Sequence, residues 1–390
     1  MDFSDLIHLN HMDKTIFEKP RIKINKTVKK KGIICLNCLD LKLIILCSIL
    51  ISNLYIIYLL KSIFNSNQVT SKSFLHKDSK SDKIFSSDKN SEEERIIKES
   101  FIMQKDFCNN QNKYLNQEFE NMITLTNFSF LNVDFQMYVY KSGDNYMSNG
   151  IIKSKKYDAY EIPFICNALE LYANIKNIQN KKDIFILDLG ANLGVYPSFF
   201  GRKGYTVISF EASPRNYYIL KKNYCKINRN NENIFIINRG LGNQEKICNY
   251  YTQIGGIGNG MIKCDENKEE FDNDGFHWKK SFEVPITKLS RFIPYLADKN
   301  LAFIKLDIEG SEGVVMQDAI ELITKYHVPY VLAEYSKAMI NEHGTNPVDF
   351  IKIFTDNGYK VSYNGFLSQN FLNPEAVKPA NIYFTYYGNK

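Results

Sequence analysis

The alternation of apolar and polar positions changes several times along this 390-residue chain. Residues 43–60 form a run without a charged side chain, and apolar residues would lie on every side of a helix there. As a helix the run would be about 27 Å long, which is enough to cross the hydrocarbon core of a bilayer. It therefore predicts one transmembrane helix. A buried soluble helix is an alternative, and a signal peptide is disfavoured because some forty residues precede the run.

Basic residues are distributed unequally around this apolar run. Seven Lys or Arg lie in residues 21–42, and four lie in residues 61–80. The positive-inside rule therefore places a basic tail, residues 1–42, in the cytosol and the rest of the chain in the lumen of the ER or Golgi. This is the orientation of a single-pass type II membrane protein. The glycosylation sequon Asn127-Phe-Ser129 lies on the predicted lumenal side.

The next part of the chain changes from polar to mixed. Residues 61–100 are rich in Ser, Lys, Asp and Asn and poor in aliphatic residues, which predicts a flexible stem. Within residues 101–180, positions 130–140 alternate as in a strand and positions 162–178 have helical periodicity. We interpret residues 101–180 as an N-terminal extension that packs on a main domain at residues 181–390.

From residue 183 onward, apolar runs of strand length alternate with helical patterns. The predicted strands are residues 183–189, 205–210, 234–237, 301–307 and 330–333, with a closing pair at 358–363 and 381–387. Helices are predicted from Pro214 to about Ile227 and from about Ser311 to Tyr326. This alternation predicts an α/β domain with an open, mostly parallel sheet and helices on both faces. Such sheets bind ligands at the carboxyl ends of their strands.

The charge distribution argues against nucleic acid as a partner. The net charge is +6, but the lysines are interleaved with acidic residues and form no basic stripe with regular aromatic residues. A solvated Lys-rich surface is the simpler interpretation.

The eight cysteines predict no metal site. Cys35 and Cys38 form a CxxC pair close to the apolar run, but no second pair or His cluster follows at the spacing of zinc ligands. Cys248 and Cys264 flank a Gly-rich stretch, residues 255–260. We interpret this stretch as a mobile insertion near the site where a substrate (the acceptor) would bind. In an oxidising lumen these two cysteines could form a disulfide.

A glycine-rich turn, Asp188-Leu-Gly-Ala-Asn-Leu-Gly194, follows the first strand of the main domain. Its glycines let the backbone turn sharply near a ligand, and the following helix start favours an anionic group. Glu211 lies 23 residues after Asp188, at the end of the second strand, where a carboxylate can bind both ribose hydroxyls of a nucleoside. The glycine spacing differs from the dinucleotide G-x-G-x-x-G pattern. A nucleoside with an amino-acid tail, S-adenosylmethionine, therefore fits better than NAD.

The chain resembles the FkbM family of methyltransferases over about residues 184–340. The matching stretches are Asp188-Leu-Gly-Ala-Asn-Leu-Gly194, Phe210-Glu-Ala-Ser-Pro214, Lys305-Leu-Asp-Ile-Glu-Gly310 and Glu312. This resemblance implies a class I, Rossmann-like methyltransferase with S-adenosylmethionine as cofactor, acting usually on an oxygen of a sugar or similar metabolite. Two departures are Ala212, where many members carry proline, and Ser290, where an Asp is common.

The resemblance also assigns residues by position. The cofactor-binding residues would be Asp188, Gly190, Asn192, Gly194, Glu211 and Gly240, the last of which lies in a turn near the adenine. Asp307 and Glu309 would lie beside the methyl group and are the candidate general bases for a hydroxyl acceptor. The alternative is that both carboxylates only order their loop. His277 and His343 are further candidates on predicted loops.

We therefore predict a membrane-anchored, S-adenosylmethionine-dependent O-methyltransferase that acts on a glycan or glycoconjugate in the secretory pathway. One alternative is a membrane-anchored glycosyltransferase. It would need an Asp-x-Asp motif for a metal and a nucleotide, and Asp272-Asn-Asp274 has that form without a preceding strand. A second alternative is a catalytically inactive methyltransferase-like binding protein, against which the intact glycine turn and Glu211 argue.

Overall fold

The computed structural model describes residues 92–227, 233–273 and 275–388. The predicted cytosolic tail, the predicted transmembrane helix at 43–60 and most of the predicted stem lie outside the described residues. Within the described ranges, no helix combines the length and the apolar character needed to cross a membrane.

The described chain begins with helices and one β-hairpin. In chain order these elements are α1 (Glu92–Asn109), α2 (Gln117–Met122), β1 (Ile123–Phe130), β2 (Val133–Tyr140), α3 (Met147–Ser154) and α4 (Glu161–Lys176). Strands β1 and β2 are antiparallel, with Phe130 opposite Val133. Leu131 and Asn132 have φ angles of 48° and 60° and form the two-residue turn. The strand predicted at 130–140 therefore begins too early, because this turn interrupts it.

The rest of the described chain forms an α/β domain with an inserted second sheet. Its strands are β3 (Ile184–Leu189), β4 (Thr206–Phe210), β5 (Ile234–Ile237), β6 (Gly240–Gly242), β7 (Lys246–Gln253), β8 (Gly256–Lys263), β9 (Glu270–Asn273), β10 (Phe276–Lys288), β11 (Asn300–Leu306), β12 (Tyr330–Tyr335), β13 (Tyr359–Ser362) and β14 (Ala380–Tyr386). Its helices are α5 (Val195–Arg202), α6 (Pro214–Ile227), α7 (Ile293–Leu296), α8 (Glu312–Asp318), α9 (Glu321–Thr324), α10 (Lys337–Glu342) and α11 (Pro347–Thr355).

The main sheet of the described residues has seven strands in the order β13-β14-β12-β11-β3-β4-β5. Strands β5, β4, β3, β11 and β12 are parallel, whereas β14 is antiparallel to both β12 and β13. The predicted α/β class and the closing strand pair are confirmed. The helix predicted at 311–326 is instead two short helices, α8 and α9, because the first ends at Asp318.

Both faces of the main sheet are buried. Along β3, Ile186 packs into the core on one face and Leu187 into the core on the other. Val207 and Ile208 divide in the same way along β4. Continuous apolar runs of this kind are expected where helices cover both faces of parallel strands. The two cores hold the carboxyl ends of these strands in place for the site.

A second sheet, which the sequence patterns did not predict, is inserted between β5 and β11. Its strand order is β6-β10-β7-β8, and β9 pairs with β10. The interpretation of residues 255–260 as a mobile insertion is wrong, because most of this stretch belongs to β8, which is paired antiparallel with β7. Gly260 leaves the space that the Tyr250 ring occupies, since a Cβ would lie 2.0 Å from the Tyr250 hydroxyl oxygen.

Two disulfides fasten peripheral elements to the domain. Cys248 and Cys264 are bonded, which confirms the predicted pairing and closes the β7–β8 hairpin. Cys108 of α1 is bonded to Cys225 of α6.

Helix α1 also packs along β5. Gln104 accepts a hydrogen bond of 3.1 Å from the Ile236 N–H, and the Ser100 hydroxyl donates to the Ile236 carbonyl. The stem predicted at 61–100 therefore ends too late, because residues 92–100 already belong to this packed helix.

Candidate active site

The candidate site lies at the carboxyl ends of β3, β4 and β11. The Gly190 and Ala191 N–H groups both donate to the Phe210 carbonyl, at 3.1 and 2.9 Å, so the turn after β3 is folded onto the end of β4. Gly190 has a φ of +96°, and a Cβ on it would lie 1.7 Å from the Asp307 carbonyl oxygen. The close approach of the two loops therefore requires glycine at position 190.

The Glu211 carboxylate is held from both sides by backbone N–H groups. One oxygen accepts from Asn192 at 2.7 Å and the other accepts from Ser213 at 2.8 Å. Burial raises the pKa of the Glu211 carboxyl to about 7, although these two hydrogen bonds oppose the rise. Each oxygen has a further lone pair, so the group can still accept hydrogen bonds from a ligand.

Glu211 lines a cleft between the main sheet and the second sheet. The predicted cofactor-binding residues in its lining are Gly190, Asn192, Glu211 and Gly240, together with both candidate bases, Asp307 and Glu309. Gly194 does not line the cleft. Its role is in packing, because a Cβ there would lie 2.3 Å from the Leu220 side chain.

The opposite wall of the cleft comes from the second sheet. Gly258, Gly260 and Ile262 of β8 and Tyr250 of β7 line it. Asn216 of α6 fixes this wall, because its side-chain amide donates to the Gly258 carbonyl at 2.8 Å. The sequence analysis placed residues 255–260 near an acceptor site, and Gly258 and Gly260 do line the cleft, but the strands that form this wall were not recognised.

A buried lysine joins the loops under the cleft. The Lys305 ammonium donates to the Gly190 carbonyl at 2.9 Å and lies 2.9 Å from the Asp307 carboxylate. It also lies 3.7 Å from the Asp188 carboxylate. Although burial lowers the pKa of Lys305, the carboxylates of Asp307 and Asp188 raise it above its usual range. The sequence motif contained Lys305 without assigning it a role.

Asp188 lies below the cleft and outside its lining. Its side chain is fully buried, and the Ser209 hydroxyl donates to it at 3.3 Å. Burial raises its pKa to about 6, whereas Lys305 lowers it. In the structure Asp188 therefore balances the Lys305 charge, and its predicted contact with a cofactor stays a prediction.

The loop after β11 carries the candidate bases. Glu309 has a φ of +54°, which is strained for a residue with a side chain. The Glu312 carboxylate holds this loop, because it accepts from the Ile308 N–H at 2.9 Å and from the Gly310 N–H at 3.3 Å. Burial and the carboxylates of Asp307 and Glu312 raise the pKa of Glu309 to about 8.

A further acid, Glu334, joins this group from β12. Its side chain shares a hydrogen bond with Asp307, and the Asp307 carboxylate together with burial raises the pKa of Glu334 well above its usual range. Asp307 thus lies between a lysine on one side and a second carboxyl group on the other. Sequence reasoning missed Glu334; its position at the carboxyl end of a predicted strand was the signal that could have identified it.

The remaining polar candidates lie elsewhere. His277 is on β10, where hydrogen bonding to Asp272 raises its pKa. His343 contacts two backbone carbonyls, at Met339 (2.9 Å) and Ile262 (3.2 Å). Neither histidine lines the cleft, and neither does Asp272 of the Asp-x-Asp sequence. Among the described residues, no group of three or more His, Cys, Asp or Glu has the arrangement of a metal site.

Fold and site together define the class of protein: an α/β domain whose ligand cleft lies at the carboxyl ends of β3, β4 and β11, as in methyltransferases. Residues 188–361 match the family described as the methyltransferase FkbM domain. The predicted resemblance to the FkbM methyltransferase family is confirmed over this range, which contains the glycine turn, Glu211 and the Lys305–Gly310 element.

Solved methyltransferase structures are similar at low identity. The methyltransferase domain of METTL16 has a TM-score of 0.32 and 12% identity, covering 73% of this chain and 93% of that one. The methyltransferase domain of the bacterial CtHen1-CN has a TM-score of 0.27 and 14% identity, covering 57% of this chain and 99% of that one. A search of curated proteins found no match.

Proposed function

We propose that this protein transfers a methyl group from S-adenosylmethionine to a hydroxyl group of a sugar or glycoconjugate. The observation that carries the proposal is the position of Glu211, whose carboxylate two backbone N–H groups hold in the same cleft as Asp307 and Glu309. A fixed carboxylate suits the ribose hydroxyls, and a nearby acidic side chain suits an acceptor hydroxyl.

The lining of the cleft supports S-adenosylmethionine as the cofactor. Glu211 would bind the ribose, and the backbone from Gly190 to Asn192 would lie beside the methionine part. Arg239 and Gly240 line the end of the cleft nearest β5 and β6, where the adenine would lie. When bound, this cofactor supplies a methyl group on a positively charged sulfur, and the acidic lining of the cleft favours that charge.

The protein's own part in the transfer is to orient the acceptor hydroxyl and to remove its proton. Asp307 is paired with Lys305 and hydrogen-bonded to Glu334, and these two contacts hold its carboxylate in place. Glu309 has no such ion pair among the described residues, and its pKa of about 8 lies near the operating range of a general base. We therefore assign the base to Glu309 and the orientation of the acceptor to Asp307.

We further propose that the reaction takes place in the oxidising lumen of the secretory pathway. The two disulfides support this location, because such bonds persist in oxidising compartments. Asn127 of the sequon is exposed on β1, where a glycan could be accommodated. The predicted transmembrane helix at residues 43–60 would supply the anchor.

Isothermal titration calorimetry of the full-length protein with S-adenosylmethionine tests the cofactor. Glu211→Ala should weaken binding by about 10- to 100-fold, since hydrogen bonds to a charged group contribute about 1.5–3 kcal/mol. Glu283→Ala, on the exposed side of β10, is the matched control and should bind normally. A folded wild-type protein that does not bind S-adenosylmethionine would contradict the proposal.

The acceptor class is tested with isotopically labelled S-adenosylmethionine and a cell extract that contains glycans. We expect the label in the glycan fraction, with resistance to mild base that distinguishes a methyl ether from a methyl ester. Label found only in proteins or lipids after glycan removal would contradict a sugar acceptor while leaving the methyltransferase activity intact.

A further inference from the structure

A second cleft, separate from the proposed cofactor cleft, lies near the carboxyl end of β12, where Glu334 is located. It has a volume of about 370 Å³, within the roughly 300–1,000 Å³ range of small-ligand sites. Its lining consists of Tyr160, Glu161, Tyr363, Ala380, Asn381 and Tyr383. These residues come from the start of α4, the loop after β13 and strand β14.

This second cleft lies along the same edge of the main sheet as the candidate active site, since its residue Asn381 is paired with Glu334 at the carboxyl end of β12. Glu334 of β12 is directly opposite Asn381 of β14, so their side chains project from the same face about 5 Å apart. Glu334 is hydrogen-bonded to Asp307, and the Asn381 amide donates to Glu161 at 3.0 Å. A row of polar side chains therefore connects the proposed acceptor position with the second cleft.

The aromatic residues present a prearranged surface. Tyr160 is 57% exposed, yet its ring is held by an edge contact with Phe164 at 5.0 Å between centroids. Phe164 in turn contacts the Tyr383 ring at 5.6 Å. A rigid, exposed tyrosine beside carboxylate and amide groups can contact the apolar face of a sugar ring while the polar groups bind its hydroxyls.

The charge of the cleft selects among possible ligands. Its lining includes Glu161 and no Lys or Arg. Asp158 lies nearby, and burial, followed by the Glu161 carboxylate, raises the pKa of the Asp158 carboxyl to about 7. Phosphates, sulfates and uronic acids would be repelled there. The lining therefore favours a neutral, hydroxyl-rich ligand.

We infer that the second cleft binds a neighbouring sugar unit of the acceptor, so that the methylated substrate is a neutral oligosaccharide and not a monosaccharide. This inference rests on the proposed methyl transfer to a sugar. The sugar that receives the methyl group would lie between Asp307 and Glu309, and the next unit would extend over Glu334 to Tyr160 and Tyr383.

A glycan array of neutral mono-, di- and tetrasaccharides tests the inference with the labelled full-length protein. We expect at least one oligosaccharide to bind about 10-fold or more tightly than its terminal monosaccharide. Tyr160→Ala and Asn381→Ala should remove that difference. Tyr114→Ala is the matched control, because Tyr114 is an exposed tyrosine whose hydroxyl bonds to Asp106 and which lies outside the second cleft.

Each variant is also titrated with S-adenosylmethionine, which separates this inference from the proposed function. Normal cofactor binding by Tyr160→Ala, with loss of the oligosaccharide preference, supports the second cleft as a sugar site. An unchanged oligosaccharide preference in both variants overturns it. The inference is also overturned if the wild-type protein binds the cofactor but binds no neutral glycan, or binds only charged glycans or basic peptides. Failure of the wild-type protein to bind the cofactor counts against the proposed function instead.

Discussion

The Lys305 ammonium lies 2.9 Å from the Asp307 carboxylate, and both groups are at the carboxyl end of the same strand, β11. Lys305 also donates to the Gly190 carbonyl and faces the buried Asp188. One side chain therefore joins the glycine turn after β3 to the loop that carries the candidate bases. The Lys-x-Asp-x-Glu-Gly sequence and the glycine turn are therefore in direct contact in the folded domain.

Replacement of Lys305 by methionine should strongly destabilise the protein. The substitution leaves the Asp188 charge buried without its partner, and the loss of one member of a buried pair is unfavourable by about 3–5 kcal/mol. We expect a markedly lower thermal midpoint for the full-length protein in differential scanning fluorimetry. Lys325→Met, which removes an exposed pair with Glu321, is the control and should leave the midpoint unchanged. Equal midpoints for both variants would show that Lys305 has no such role.

Replacement of Gly190 by alanine should abolish cofactor binding. The new Cβ would meet the Asp307 carbonyl at 1.7 Å, so one of the two loops must move and the cleft must change shape. Gly344→Ala is a matched control, since Gly344 also has a positive φ, of +82°, but has open space around its Cβ position. That variant should lose only about 1 kcal/mol of stability and bind normally. Calorimetry with S-adenosylmethionine compares the two, and retained binding by Gly190→Ala would disprove the close approach of the loops.

The parts of the fold that the sequence predicted are those with a strong local pattern. The buried runs at 184–189, 206–210 and 234–237 are mostly apolar segments with turn residues at their ends, which indicate parallel strands. Helix α6 was predicted with its observed bounds, because Pro214 marks its start.

The second sheet could not be predicted in the same way. Strand β8 contains three glycines, at 256, 258 and 260, which normally argue against a strand. They are accommodated because the neighbouring side chains need their space, as Tyr250 does at Gly260. Because these contacts exist only in the folded protein, they leave no pattern in the local sequence. The strands that form the second wall of the cleft could therefore not be predicted.

In the candidate site, sequence reasoning identified residues by position and missed their interactions. Glu211 and Gly190 lie at the cleft as predicted, whereas Asp188 turns away from it toward Lys305. Glu334 could not be linked to Asp307 from the sequence, because strands β11 and β12 bring them together only in the folded sheet.

Reduction of the disulfides should destabilise the domain unequally. In the chain-entropy account a bond that closes a longer loop stabilises more. Cys108 and Cys225 are 117 residues apart and Cys248 and Cys264 are 16 apart, which corresponds to about 5 and about 3 kcal/mol. Cys108→Ser should therefore lower the urea midpoint more than Cys248→Ser does. Mass spectrometry of the protein isolated from cells measures the pairing itself, and free thiols at these four positions would argue against an oxidising compartment.

Methyl transfer should rise with pH if Glu309 is the general base. Only the ionised carboxylate can accept the acceptor's proton, and its pKa of about 8 means that this form increases as the pH rises toward and past 8. Labelled methyl transfer to the glycan fraction should therefore increase from pH 6.5 to 8.5. Glu309→Gln should lose about 10²- to 10⁴-fold in rate, the usual contribution of a general base, and should lose the pH dependence. A variant with normal rate and an unchanged profile would assign the base elsewhere, with Asp307 as the next candidate.

The same carboxyl group should make stability depend on pH, and this can be measured without an acceptor. The folded-state pKa of Glu309, about 8, lies above its ordinary value of 4.5, so the folded protein holds this proton more tightly than the unfolded chain does. The stabilisation is complete below about pH 4.5 and is lost as the pH rises through about 8. Urea unfolding of the full-length protein at pH 6 and 8.5 should show a smaller decrease in stability for Glu309→Gln than for the wild type. Glu321→Gln, an exposed acid on α9, is the control and should follow the wild-type dependence. If the stability of Glu309→Gln decreases with pH as much as that of the wild type, Glu309 is ionised in the folded protein at neutral pH and its pKa is not raised.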